Sequence, residues 1–156
     1  DVFNAVRDVW PDDKPMGIRI SATDWIDGGW TLDESVSFAR ELKMLGCDFI
    51  DVSTGALDPR QKIPFGPGYQ VPFSARIRTQ AEITTWAVGM ITKTRQAEEI
   101  IADGKADMVA LARGMMFDPR WAWHAAEELG VDTVYSRMYA RCVPAQWPEV
   151  FQWCDK

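Results

Sequence analysis

Four times along this chain a short apolar strand pattern gives way to a helix pattern. That alternation constrains the fold more than any other feature. The first strand pattern is Met16 to Ser21, with Gly17, Arg19 and Ser21 on one side and Ile18 and Ile20 on the other. Thr31 then opens a helix as its cap, with Glu34 three residues on to complete a capping box, and Gly46 closes it. The second strand, Cys47 to Ser53, sets Phe49, Asp51 and Ser53 against Ile50 and Val52, and a helix over Pro72 to Gln80 follows. The third, Thr84 to Met90, leads to a helix from Thr94 to Asp103 with Gly104 behind it. The fourth, Met108 to Ala112, leads to a helix from Pro119 to Leu129, closed by Gly130. Strand and helix in alternation mean a parallel sheet with right-handed crossovers. Four such units suit either a small doubly wound sheet or half of an eight-fold barrel.

Polar residues near the strand ends point toward the barrel. Arg19, Asp51 and Ser53 fall on the faces that would line a barrel mouth, where active sites gather at the C-terminal ends of the strands. Arg113 follows the fourth strand and stands beside Gly114. A cation with exposed backbone N–H groups at a strand end is a place to hold a phosphate. The loop from Thr54 to Val71, rich in Gly and Pro, is long enough to be functional or mobile.

Composition removes several function classes. A net charge of −6 argues against a nucleic-acid-binding face, and no apolar run reaches membrane-spanning length. Cys47, Cys142 and Cys154 fit no zinc or CxxC spacing, and His124 is the single histidine, so no metal site is expected. An odd cysteine count favours a reducing, cytoplasmic setting. The chain opens in a helical pattern (Val2, Ala5, Val6 and Val9 on one face) without an initiator Met, so we expect a piece of a longer protein.

Five segments in register carry a family resemblance: Arg19-Ile20-Ser21-Ala22-Thr23-Asp24-Trp25, Asp51-Val52-Ser53-Thr54-Gly55, Pro67-Gly68-Tyr69-Gln70, Ala87-Val88-Gly89-Met90-Ile91 and Ala106 to Arg113. Together they resemble the C-terminal half of the old yellow enzymes, in the bacterial branch that includes the xenobiotic reductases. The resemblance implies strands five to eight of a TIM (β/α)8 barrel over residues 1–130, with a C-terminal tail over 131–156 at a subunit interface. It implies FMN and NAD(P)H as cofactors, and reduction of the electron-poor C=C bond of a small enone-type substrate, in a homo-oligomer.

Residue by residue, the resemblance puts Arg19 in a catalytic and cofactor-binding role against the flavin's pyrimidine edge. There a fixed guanidinium stabilises the charge that reduction brings. It puts Arg113 on the FMN phosphate with the backbone of Gly89, Met90 and Ala112. Position 112 is usually Gly in the family, and the Ala112 methyl is expected to crowd the phosphate. Asp51 and Ser53 either support Arg19 or simply fill the barrel mouth. Tyr69 and Arg141 are candidate substrate contacts, the latter from a neighbouring subunit; a solvated loop is the plainer expectation for Tyr69 and Gln70, and a surface position for Arg141. Trp25, Trp30 and Trp86 read as core or rim packing, and His124 as a surface residue. The family's strand-four substrate pair, its strand-one flavin contacts and its proton-donor tyrosine belong to the first half of the barrel. This chain alone is therefore expected to be inactive and to need the missing half-barrel or a second chain. The alternative is a non-catalytic half-barrel, a phosphate-binding or scaffold module that pairs with another chain.

Overall fold

A computed structural model describes residues 1–151, so Cys154 lies outside the described residues. The chain divides into two compact units, Asp1–Pro119 and Arg120–Lys156.

In the first unit a short helix α1 (Val2–Arg7) precedes strand β1 (Gly17–Ser21), helix α2 (Leu32–Met44), β2 (Phe49–Ser53), α3 (Val71–Ala81), β3 (Thr84–Val88), α4 (Thr94–Ala102), β4 (Met108–Ala110) and α5 (Arg113–Phe117). Among the described residues the strands form one parallel sheet in the order β1-β2-β3-β4. Sequential order with a helix in every crossover is the topology of consecutive barrel units. This is the α/β half-barrel that the resemblance implies, one of the two folds the alternation leaves open.

The two faces of the sheet differ as the period-2 patterns require. Ile50 and Val52 are fully buried and pack with Val36, Ala39 and Leu42 of α2 and Ile77 and Ala81 of α3. Each of the Ile, Val and Leu side chains taken from water contributes roughly 1.5–3 kcal/mol, so this layer dominates the stability of the unit. The helices over it are well terminated. Thr31 Oγ1 accepts from the Glu34 N–H while the Glu34 carboxylate accepts from the Thr31 N–H, and Gly46 leaves α2 at φ +84°. On the opposite face Phe49 stacks on Trp86, with ring centroids 4.7 Å apart and planes 9° off parallel. The Phe49 ring lies over Gly17, its register partner on β1, where a Cβ would come within 2.4 Å of it. Trp25 meets Phe73 edge-on, and Trp30 meets Phe38. These tryptophans pack, as expected.

Several boundaries depart from the sequence expectation. β3 stops at Val88 rather than Met90, because Gly89 and Met90 both take positive φ (+113° and +51°), which no strand accommodates. β4 stops at Ala110 rather than Ala112, and Arg113 opens a one-turn helix that the apolar pattern does not announce. The opening helix ends at Arg7, short of Val9, and both Val2 and Val9 are exposed. Among the described residues no helix is long and apolar enough to cross a membrane.

The second unit contains α6 (Trp121–Glu128), a 3-10 turn (Arg137–Cys142) and α7 (Pro148–Phe151). It is organised around Arg120, whose guanidinium lies over the rings of Trp123 and Tyr139 at 5.3 and 4.8 Å, while Trp123 also meets Tyr135 edge-on.

Candidate functional site

The C-terminal ends of β3 and β4 open onto one cavity of about 530 Å³, walled by residues 88–92 and 110–114 with Phe65 and Pro67 across from them. Gly89, Met90, Ala112 and Arg113, separated by up to two dozen positions in sequence, meet here. Parallel pairing brings them together, since it sets Val88 beside Ala110 and so aligns the two exits. The Ala112 backbone sits at φ −105°, which any residue adopts, so this position does not require the usual glycine. Arg113 is exposed at the cavity wall.

The turn after β3 is held from outside. The buried Gln70 side chain accepts from the backbone N–H of Thr54 at 2.6 Å and from its hydroxyl at 2.8 Å, and it donates to the Val88 carbonyl at 2.9 Å. A backbone N–H only donates and a carbonyl only accepts, so the amide orientation is dictated by its partners. Gln70 therefore ties the exit of β2 to the exit of β3. This corrects the expectation of a solvated loop residue. Gly89 is required beside it: a Cβ there would stand 2.4 Å from Gln70 Nε2, and φ is +113°. No local sequence signal exposes this role, since its partners Thr54 and Val88 lie 16 and 18 residues away. Tyr69, next in the chain, is half-buried and meets the Phe65 ring edge-on at 5.4 Å.

Arg19 lies elsewhere. It is on β1, at the opposite edge of the sheet from β4, and does not line the cavity. Three interstrand steps put it about 14 Å away along the sheet. Its Nη1 donates to Asp51 Oδ2 at 2.7 Å, across the register pair that links β1 to β2. Asp51 Oδ1 is buried without a hydrogen-bond partner, as is the indole N–H of Trp86, its register partner on β3. Ser21 Oγ accepts from the Gly55 N–H and so holds the start of the long loop. Arg141 is exposed in the 3-10 turn of the second unit. His124 is on α6 of the same unit. Among the described residues no group of three or more His, Cys, Asp or Glu side chains is arranged to hold a metal ion.

A parallel βα array with a cavity at the strand C-termini and an arginine on its wall defines a barrel-type α/β chain. Residues 1–132 match the sequence profile of the NADH:flavin oxidoreductase / NADH oxidase family, and the chain belongs to that family. It is 48% identical over 141 residues to an NADPH dehydrogenase of Geobacillus sp. (strain WCH70), covering 90% of this chain and 41% of that protein. It is 45% identical, with the same coverage, to an NADPH dehydrogenase of Geobacillus thermodenitrificans. The chain thus spans about two fifths of the length of these relatives. Among solved structures, histamine dehydrogenase from Rhizobium sp. 4-9 superposes over 83% of this chain and 19% of its own, with a TM-score of 0.66 and 22% identity, a likeness of fold.

Proposed function

We propose that this chain supplies the phosphate-holding and pyrimidine-facing part of an FMN site in an NAD(P)H-dependent ene-reductase. The observation that carries the reading is the convergence of Arg113 with the Gly89–Met90 turn on one cavity at the ends of β3 and β4. The residues present fit the group. The turn keeps side chains out of its tightest point, since a Cβ at 89 has no room, and a guanidinium stands on the same wall. When bound, FMN supplies hydride transfer between a nicotinamide and the electron-poor C=C bond of an enone.

The chain's own residues would bind and orient. Arg113 would neutralise phosphate charge in bidentate fashion, and the peptide groups of Gly89, Met90 and Ala112 would add donors. Arg19, held by Asp51, would present a permanent positive charge to the electron-rich edge of the ring system. Tyr69 would border the substrate side, and Arg141 would reach a neighbouring copy. The outer edges of β1 and β4 have no neighbouring strand among the described residues. Open parallel edges ask for pairing, which supports a barrel completed by other strands, with residues 1–130 as the half-barrel and 131–156 as its tail. Such an enzyme would act in the cytoplasm, and the half-barrel alone would not turn over.

The same open edges favour a second reading, a half-barrel that binds phosphate or serves as scaffold against another chain. One experiment separates the two. The purified protein is desalted, its flavin absorbance and intact mass are recorded, and NADPH oxidation is followed with an α,β-unsaturated ketone. Stoichiometric flavin with ketone-dependent oxidation supports the enzyme. Absence of flavin, with none taken up from added FMN, overturns it and leaves the scaffold.

A further inference from the structure

Three successive carbonyls in the turn after β3 are each engaged by a different donor. The Val88 carbonyl accepts from Gln70 Nε2 at 2.9 Å, the Gly89 carbonyl from the Gly68 N–H at 3.1 Å, and the Met90 carbonyl from Gln96 Nε2 at 3.2 Å. Gln96 also accepts from the Thr92 N–H at 3.2 Å, so its amide brackets the turn from both sides. Among the described residues no peptide bond is cis. In a trans peptide the N–H points opposite to the preceding C=O. Engaging these three carbonyls therefore fixes the directions of the next three N–H groups, those of Gly89, Met90 and Ile91. All three residues line the cavity that also receives Arg113.

We propose that Gln70 and Gln96 are positioning residues for anion binding: they preset the backbone donors of Gly89, Met90 and Ile91 before a phosphate arrives. The inference rests on the phosphate reading of this cavity and adds to it. Two consecutive positive φ values, one of them at the non-glycine Met90, make a turn that does not hold itself. The two amides come from different elements, one from the end of the long loop and one from α4, so the turn is clamped between them. Only an amide serves at position 70. Its oxygen must accept from a backbone N–H and its nitrogen must donate to a carbonyl, and a carboxylate or an apolar side chain of the same length fails at one or both. A preset cradle binds more tightly because its ordering cost is met during folding.

The test compares FMN with riboflavin, which lacks only the phosphate. Flavin is removed from the full-length protein, and both ligands are titrated by fluorescence quenching into wild type, Gln96→Met and Gln70→Met. A role confined to general stability weakens both flavins alike. The positioning role weakens FMN about tenfold while riboflavin changes less than twofold, so the ratio of their dissociation constants falls. A wild-type ratio near one overturns the phosphate reading and this inference with it. A large wild-type ratio that both variants preserve overturns the inference alone. Gln96 is only half-buried on a helix surface, so its variant decides the matter even if Gln70→Met fails to fold.

Discussion

Arg19 reaches across from β1 to donate to Asp51 on β2 at 2.7 Å, and that carboxylate keeps its other oxygen buried and unpartnered. The Arg19 side chain is 56% exposed, so the pair contributes no more than about 1 kcal/mol to folding. Its value is directional: the carboxylate holds a guanidinium at a chosen point on the open sheet face. Asp51→Ala is expected to move the urea midpoint little and to lower the flavin reduction potential in the same direction as Arg19→Ala. Denaturation and dye-equilibrated potentials measured on the same samples check both. A potential unchanged in Arg19→Ala would remove this arginine from the flavin's electron-rich edge.

Gly89→Ala is expected to be severe. The new Cβ meets the Gln70 amide at 2.4 Å, and alanine must hold φ +113°. Strain of that kind costs about 1–3 kcal/mol, and displacing Gln70 also frees the buried Thr54 N–H and Val88 carbonyl. Urea unfolding should show a loss of about 2 kcal/mol or more. An unchanged midpoint would mean that the Gln70 bridge is not formed in solution.

The elements that sequence pattern reveals best are those whose signal is local. The capping box at Thr31 and Glu34, the glycine after α2, and the alternation of β2 with Ile50 and Val52 on the opposite side from Asp51 and Ser53 all depend on neighbours within a few residues. The convergence of Gly89, Met90, Ala112 and Arg113 followed from the resemblance and from parallel topology together. The Gln70 bridge was not legible, because a loop glutamine looks solvated until the fold brings Thr54 and Val88 to either end of its amide. The short helix α5 was also missed, since one turn carries no periodicity. For Gln70 the deciding partners come from other elements.

The capping box gives a pH prediction. Hydrogen bonds from the Thr31 hydroxyl and backbone hold the Glu34 carboxyl below the ordinary glutamate value. A depressed folded-state value means that the contribution is complete above the unfolded glutamate range and is lost as pH falls through the depressed value. The stability difference between wild type and Glu34→Gln should therefore be constant near neutrality and shrink on acidification. Thr31→Ala, which removes the cap acceptor, should cost about 1 kcal/mol at neutral pH. A Glu34→Gln difference that does not shrink on acidification would contradict the assignment.

Two of the cysteines should separate by reactivity. Cys47 is buried beneath α2, and burial pushes its thiol above the usual value, while Cys142 is exposed in the second unit. The thiolate is the reactive species, so a raised value and poor access act in the same direction. Brief treatment of the native protein with iodoacetamide near neutral pH, followed by peptide mapping, should find Cys142 alkylated and Cys47 largely intact. Urea should bring Cys47 to the rate of Cys142, since both the burial and the shift vanish on unfolding. Because Cys47 packs within the same apolar layer as Ile50 and Leu42, its protection also reports the integrity of the half-barrel. Fast native labelling of Cys47 would mean that the layer between α2 and the sheet opens at low cost, against the close packing seen there.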